Sequence, residues 1–144
     1  MMHKNYIRAT AWERMRIDAM LKAGCIMTMV RRERGLLVPA TGKIDVHHLV
    51  EGSKRLGHGW AIALHSWWHR GVPPRGMRAE EARALYGAAL SDGRKAFRES
   101  HGFDDRDLFV ETNKRMGMDT SFPVSKVFKR ESLLPEALRL TTQE

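Results

Sequence analysis

Five of the seven histidines in this 144-residue chain, His47, His48, His58, His65 and His69, fall within one short stretch, and the residues around them dictate its local structure. Lys43 to Val50 alternates in polarity and carries β-branched residues, which reads as a strand. Glu51 to Gly59 is polar and holds three glycines and the Lys54-Arg55 pair, which reads as a loop. Trp60 to Leu64 reads as a second short strand. His65 to Arg70 then makes one or two helical turns, stopped by Gly71 and Pro73-Pro74. A β-hairpin followed by a helix brings the end of the first strand beside the helix. Neighbouring strand residues point to opposite faces, so His47 and His48 are not expected to share one role.

The flanks are mostly helical. Thr10 with Glu13 forms a capping-box pattern that opens a helix, and Gly24 suits its end. Cys25 to Val30 is short and apolar and leads into the basic cluster Arg31, Arg32 and Arg34. Leu36 to Val38, between Gly35 and Gly42, reads as a further strand. Ala79 to Ala89 is rich in helix formers, Gly93 to Ser100 makes a short helix, and Asp104 with Asp107 caps a last helix running to Met116. The tail beyond Gly117 holds Pro123, Pro135 and a Leu-rich stretch, and reads as an appendage that packs on the domain or on a partner. The organisation is thus an N-terminal helix over 1–24, a central domain over 25–116 and a tail over 117–144.

Composition narrows the function. With 42% hydrophobic residues the chain has material for a core, and one Cys excludes a disulfide framework, which fits a reducing compartment. No apolar run approaches the roughly 20 residues that span a bilayer. The 25 Lys+Arg against 17 Asp+Glu leave a net charge of +8, which points to an acidic partner, nucleic acid first and an anionic membrane surface second.

The sets Asp45-Val46-His47-His48-Leu49, Gly57-His58-Gly59 and Ala63-Leu64-His65-Ser66-Trp67-Trp68-His69-Arg70-Gly71 resemble the ββα-metal, or HNH, nuclease motif. More narrowly, the stretch from about residue 25 to residue 116 is similar to the phage recombination-enhancement (Ref-like), RecA-dependent nucleases. The resemblance implies an α+β fold, a small ββα-metal finger embedded in a mostly helical single domain. It implies a phage-encoded DNA endonuclease, acting in recombination in the host cytoplasm on DNA presented by a RecA filament. By position, His48 matches the general base that activates water, His47 and His69 match ligands of one divalent metal, and His58 matches the middle residue that orients the base or contacts phosphate. Magnesium is the leading candidate metal, with manganese and zinc compatible with the same donors. The chemistry agrees with these residue types, because phosphodiester hydrolysis needs an activated water and a place for charge on the leaving oxygen.

The chain also departs from the pattern. In the families it resembles, many members hold a structural zinc with a CxxC knuckle and a second ligand pair beside the helix. Here Cys25 stands at the first knuckle position, Thr28 at its partner's, His65 where a Cys is expected, and Trp68 in place of a ligand. Cys25 and His65 are read as the remnant of a lost zinc site, with Met27, Trp67 and Trp68 filling the space, and Cys25 as a buried small hydrophobe. His3 and His101 read as surface or capping residues. Lys54, Arg55 and Arg70 are expected around the site as phosphate contacts. The alternative function is a non-catalytic nucleic-acid-binding module on a degenerate HNH scaffold.

Overall fold

The computed structural model describes residues 9–51 and 54–118. His3 and the expected tail from residue 119 onward lie outside the described residues.

Among the described residues, six helices surround two small antiparallel ladders. Helix α1 (Ala11–Ala23) starts in the expected capping box, with Thr10 and Glu13 exchanging backbone and side-chain bonds. Cys25 to Val30, unassigned from sequence, begins helix α2 (Ile26–Glu33), and the Cys25 sulfur accepts at its N-terminus from the Thr28 amide. Strand β1 (Ile44–His48) pairs with β4 (Ala61–His65), and β2 (Val50–Glu51) pairs with β3 (Lys54–Arg55). Helix α3 (Ser66–Arg70) follows β4 without a linker. Helix α4 (Ala79–Tyr86), a 3-10 turn (Leu90–Asp92), α5 (Arg94–His101) and α6 (Asp105–Arg115) complete the body.

Three expectations are corrected. Leu36 to Val38 is not a strand: the Leu36 amide closes back on the Arg31 carbonyl, and the Arg31 guanidinium takes the Leu37 carbonyl that a partner strand would have used. The expected loop over 51–59 contains the β2–β3 ladder. Leu49 is its hinge, donating its amide to Trp60 and accepting at its carbonyl from Leu56, so pairing passes from one ladder to the other at a fully buried side chain. The helix expected to reach Ala89 stops at Tyr86, where Gly87 turns at φ +79° and Asp92 accepts from the Ala89 amide.

The hairpin β1–β4 divides two apolar layers. On one face Ala61 and Ala63 pack with Met20 of α1, joined by Val46. On the other, Ile62 and Leu64 join the main core with Trp67, Trp68, Phe97 and Leu108. Residues opposed across a ladder share a face, so Asp45 and His47, opposite Leu64 and Ile62, lie on the side of the main core. Val46 and His48, opposite Ala63 and Ala61, lie on the side of α1. Arg16 of α1 anchors that side: its buried guanidinium donates to the Ala61 carbonyl at 2.8 Å and to Asn113 Oδ1 of α6, and lies over the Phe109 ring.

Candidate nuclease site

The ladder end, α3 and the start of α6 converge on two imidazoles. The His47 and His69 ring centroids are 5.1 Å apart, in an edge-on arrangement. Each ring is fixed by a carboxylate. His47 Nε2 lies 2.9 Å from Asp105 Oδ2, and His69 Nδ1 lies 3.0 Å from Asp45 Oδ2. Ionised carboxylates only accept, so these nitrogens carry the protons, and in the neutral tautomer the lone pair of each ring is on the other nitrogen, His47 Nδ1 and His69 Nε2. Burial pushes the Asp105 carboxyl up, but the His47 hydrogen bond and the Arg94 charge outweigh it, and its pKa lies below the ordinary value. Asp45 behaves alike: burial raises it, and His69 and Arg70 bring it below its ordinary value. Burial lowers His69, against the opposing pull of Asp45, which favours the neutral ring.

His48 and His58 form a second pair, with ring centroids 5.4 Å apart. Strand alternation separates His48 from His47 as expected, and the hinge at Leu49 lets the loop fold back toward it. His48 Nε2 is buried with no hydrogen-bond partner among the described residues. Burial, reinforced by Arg55 and the neighbouring imidazoles, holds His48 down at about 4, so the ring is neutral at physiological pH. The loop carrying His58 is tied to α1 where Glu13 accepts from the Gly59 amide at 3.0 Å.

Of the expected phosphate contacts, Arg55 is exposed on β3 near enough to repel a proton from His48. Arg70 donates from Nε to Asp45 at 2.9 Å. Lys54 lies on β3, opposite Glu51 in the ladder.

Cys25 and His65 do come together, through hydrogen bonds. The Cys25 sulfur accepts from the His65 amide at 3.2 Å, and burial raises its thiol pKa. His65 Nδ1 accepts from the Trp67 amide, so Nε2 donates to the Thr41 carbonyl at 2.7 Å, and both ring nitrogens are engaged. Gly42 allows this close approach, since a Cβ there would collide with the His65 ring. Met27, Trp67 and Trp68 are fully buried in one core, as expected. His101 is a correction: it is buried between Phe97 and Phe103 and donates from Nε2 to the Ala88 carbonyl, because its helix turns this face inward.

Sequence reasoning assigned no role to Asp45, Asp105 or Arg94. Asp45 was findable, since it lies two residues before His47 and so on the same strand face. Asp105 and Arg94 reach the site only through tertiary packing of α5 and α6; Arg94 Nε donates to Asp105 Oδ1 at 3.1 Å. Among the described residues, no group of three or more His, Cys, Asp or Glu is arranged to hold a metal ion.

A hairpin leading directly into a helix, with two imidazoles beside it each backed by a carboxylate, defines a small α+β protein. Residues 9–116 match the family described as recombination enhancement, RecA-dependent nuclease, and the chain belongs to that family. The match takes in α1 as well as the hairpin and the helices after it. Neither a curated protein nor a solved structure gives a significant match. No helix among the described residues is long and apolar enough to cross a membrane.

Proposed function

We propose that the chain is a metal-dependent DNA endonuclease of the ββα-metal (HNH) type, phage-encoded, and dependent on RecA for access to its DNA. The observation that carries this reading is the pairing of His47 with His69, each with one nitrogen fixed by a carboxylate and the other carrying a lone pair. A carboxylate behind each imidazole is the usual support of a metal-ligating histidine. Two imidazoles, with water and phosphate oxygens completing the shell, fit magnesium, manganese or zinc. Held by His47 and His69, such an ion would supply charge stabilisation at the leaving oxygen.

The remaining work falls to the chain's own residues. His48 is the general base: its neutral ring accepts a proton from water. Arg55 draws the DNA backbone toward it. An approaching phosphodiester offsets the positive charge around His48 and so raises its proton affinity, which suits the ring to its task once DNA is bound. His58 supports the ring of His48 from its edge. Contacts of this kind grip the backbone and read few base edges, so weak sequence preference follows. The ring nitrogens of His65 are engaged within the chain, which supports a core that stands without structural zinc.

The test incubates the full chain with single-stranded and duplex DNA, with and without magnesium, with and without RecA and ATP, and repeats each arm with His48→Ala. Metal-dependent cutting that needs RecA and is lost in His48→Ala is the expected result. Cutting that survives the substitution removes the base assignment. Salt-dependent binding with no cutting under any condition favours the non-catalytic module.

A further inference from the structure

Two arginines end a chain of contacts made of two hydrogen-bonded arms that meet at the edge-on imidazole pair. Starting from α3, Arg70 Nε donates to Asp45, Asp45 accepts from His69, and His69 faces His47. His47 donates to Asp105, and Asp105 accepts from Arg94 Nε on α5. The arrangement repeats one unit, imidazole–carboxylate–guanidinium, on each side of the site. Both arginines use Nε for the carboxylate, and their terminal amino groups have no hydrogen-bond partner among the described residues. Their side chains are 53% and 41% exposed, whereas the carboxylates they grip are 10% and 4% exposed. A guanidinium held by Nε with its other end in solvent is a preset fork for phosphate oxygens.

We infer that Arg94 binds a DNA backbone phosphate on the Asp105 side of the site, as the counterpart of Arg70 on the Asp45 side. The inference rests on the reading of nucleic acid as substrate, but not on cleavage or on a metal. The carboxylates hold the two forks in place before DNA arrives, so less side-chain freedom is lost on binding. The two phosphate contacts then fix the strand across the imidazole pair.

The experiment measures DNA affinity against salt concentration with EDTA present, for the full chain, Arg94→Ala, Arg94→Lys and Arg70→Ala. Each lost phosphate contact on duplex DNA lowers the slope of log K against log salt by about 0.9. Arg94→Ala and Arg70→Ala are expected each to show that reduction. Arg94→Lys, which keeps the charge but not the fork, is expected to keep the slope and lose affinity. A thermal unfolding scan of each variant separates loss of fold from loss of contact. A folded Arg94→Ala protein with an unchanged slope overturns the proposal, because an arginine that only steadies Asp105 changes no count of released ions. Cutting by the parent chain, scored separately with metal and RecA, decides the nuclease reading independently.

Discussion

His47 on β1 donates its Nε2 proton to Asp105 at the first position of α6, across 2.9 Å and fifty-eight positions of sequence. Asp105 therefore fixes the His47 proton on Nε2. Substituting Asp105→Asn keeps the shape but removes the charge that fixes this tautomer. Loss of such a supporting carboxylate typically costs 10–100-fold in metal affinity or activity. Asp105→Asn is expected to fall in that range by manganese titration at a temperature where the variant is folded, and to unfold below the parent temperature because the ion pair with Arg94 is lost. Metal affinity equal to the parent's would show that His47 needs no partner.

His101 sets a pH limit on the fold. Burial holds its pKa at about 4, below the 6.5 of the free ring, so the unfolded chain binds more protons between these values. The stability of the neutral ring is fully present above about pH 6.5 and is lost progressively as pH falls toward 4, amounting to roughly 3 kcal/mol. His101→Gln keeps an amide donor for the Ala88 carbonyl without a titrating ring, and should flatten that part of the profile. Urea unfolding of both proteins at several pH values between 4 and 7 tests this, and parallel profiles would remove His101 from the acid response.

The hairpin, its following helix and the capped helices α1 and α6 were legible in the sequence because their signals are local. Alternation around His47, the Thr10–Glu13 box and the Gly71 stop each act within a few residues. Leu36 to Val38 misled because its apolar run fits a strand by propensity, while the Arg31 side chain, six positions back, claims the Leu37 carbonyl. The carboxylates behind the imidazoles divide in the same way. Asp45 shares the strand face of His47, but Asp105 and Arg94 arrive on helices whose placement depends on the whole core. His101 looked like a helix-end polar residue, and only the packing of α5 shows it between two phenylalanines.

Trp68 tests how much of the structure its core carries. Its ring is fully buried, meets His65 and Tyr86 edge-on, and its indole donates to the Tyr86 carbonyl at 2.9 Å. Trp68→Ala removes the packing and leaves a cavity, at a cost of about 3–5 kcal/mol. Trp68→Phe keeps most of the ring but leaves that carbonyl without its indole donor, at about 1–3 kcal/mol. Denaturant unfolding should rank parent, Phe and Ala in that order. Equal losses for the two variants would mean that the hydrogen bond, not the packing, holds α3 to α4.

Cys25 and His65 join three segments of the chain by hydrogen bonds. The Cys25 sulfur accepts from two amides, those of Thr28 and His65, while the His65 ring bridges the Trp67 amide and the Thr41 carbonyl. These bonds do mechanically what a zinc ion does in a knuckle: they tie the start of α2, the residues before β1 and the start of α3 to one point. A structural zinc contributes folding free energy directly, so a chain that depends on one unfolds when the metal is removed. Prolonged dialysis against EDTA is therefore expected to leave the unfolding temperature of this chain unchanged, with less than one zinc per chain by elemental analysis. His65→Ala should destabilise equally with and without EDTA, because what it removes is the bridge to Thr41 and Trp67. A fall in unfolding temperature on EDTA treatment, abolished in His65→Ala, would instead make the imidazole a metal ligand.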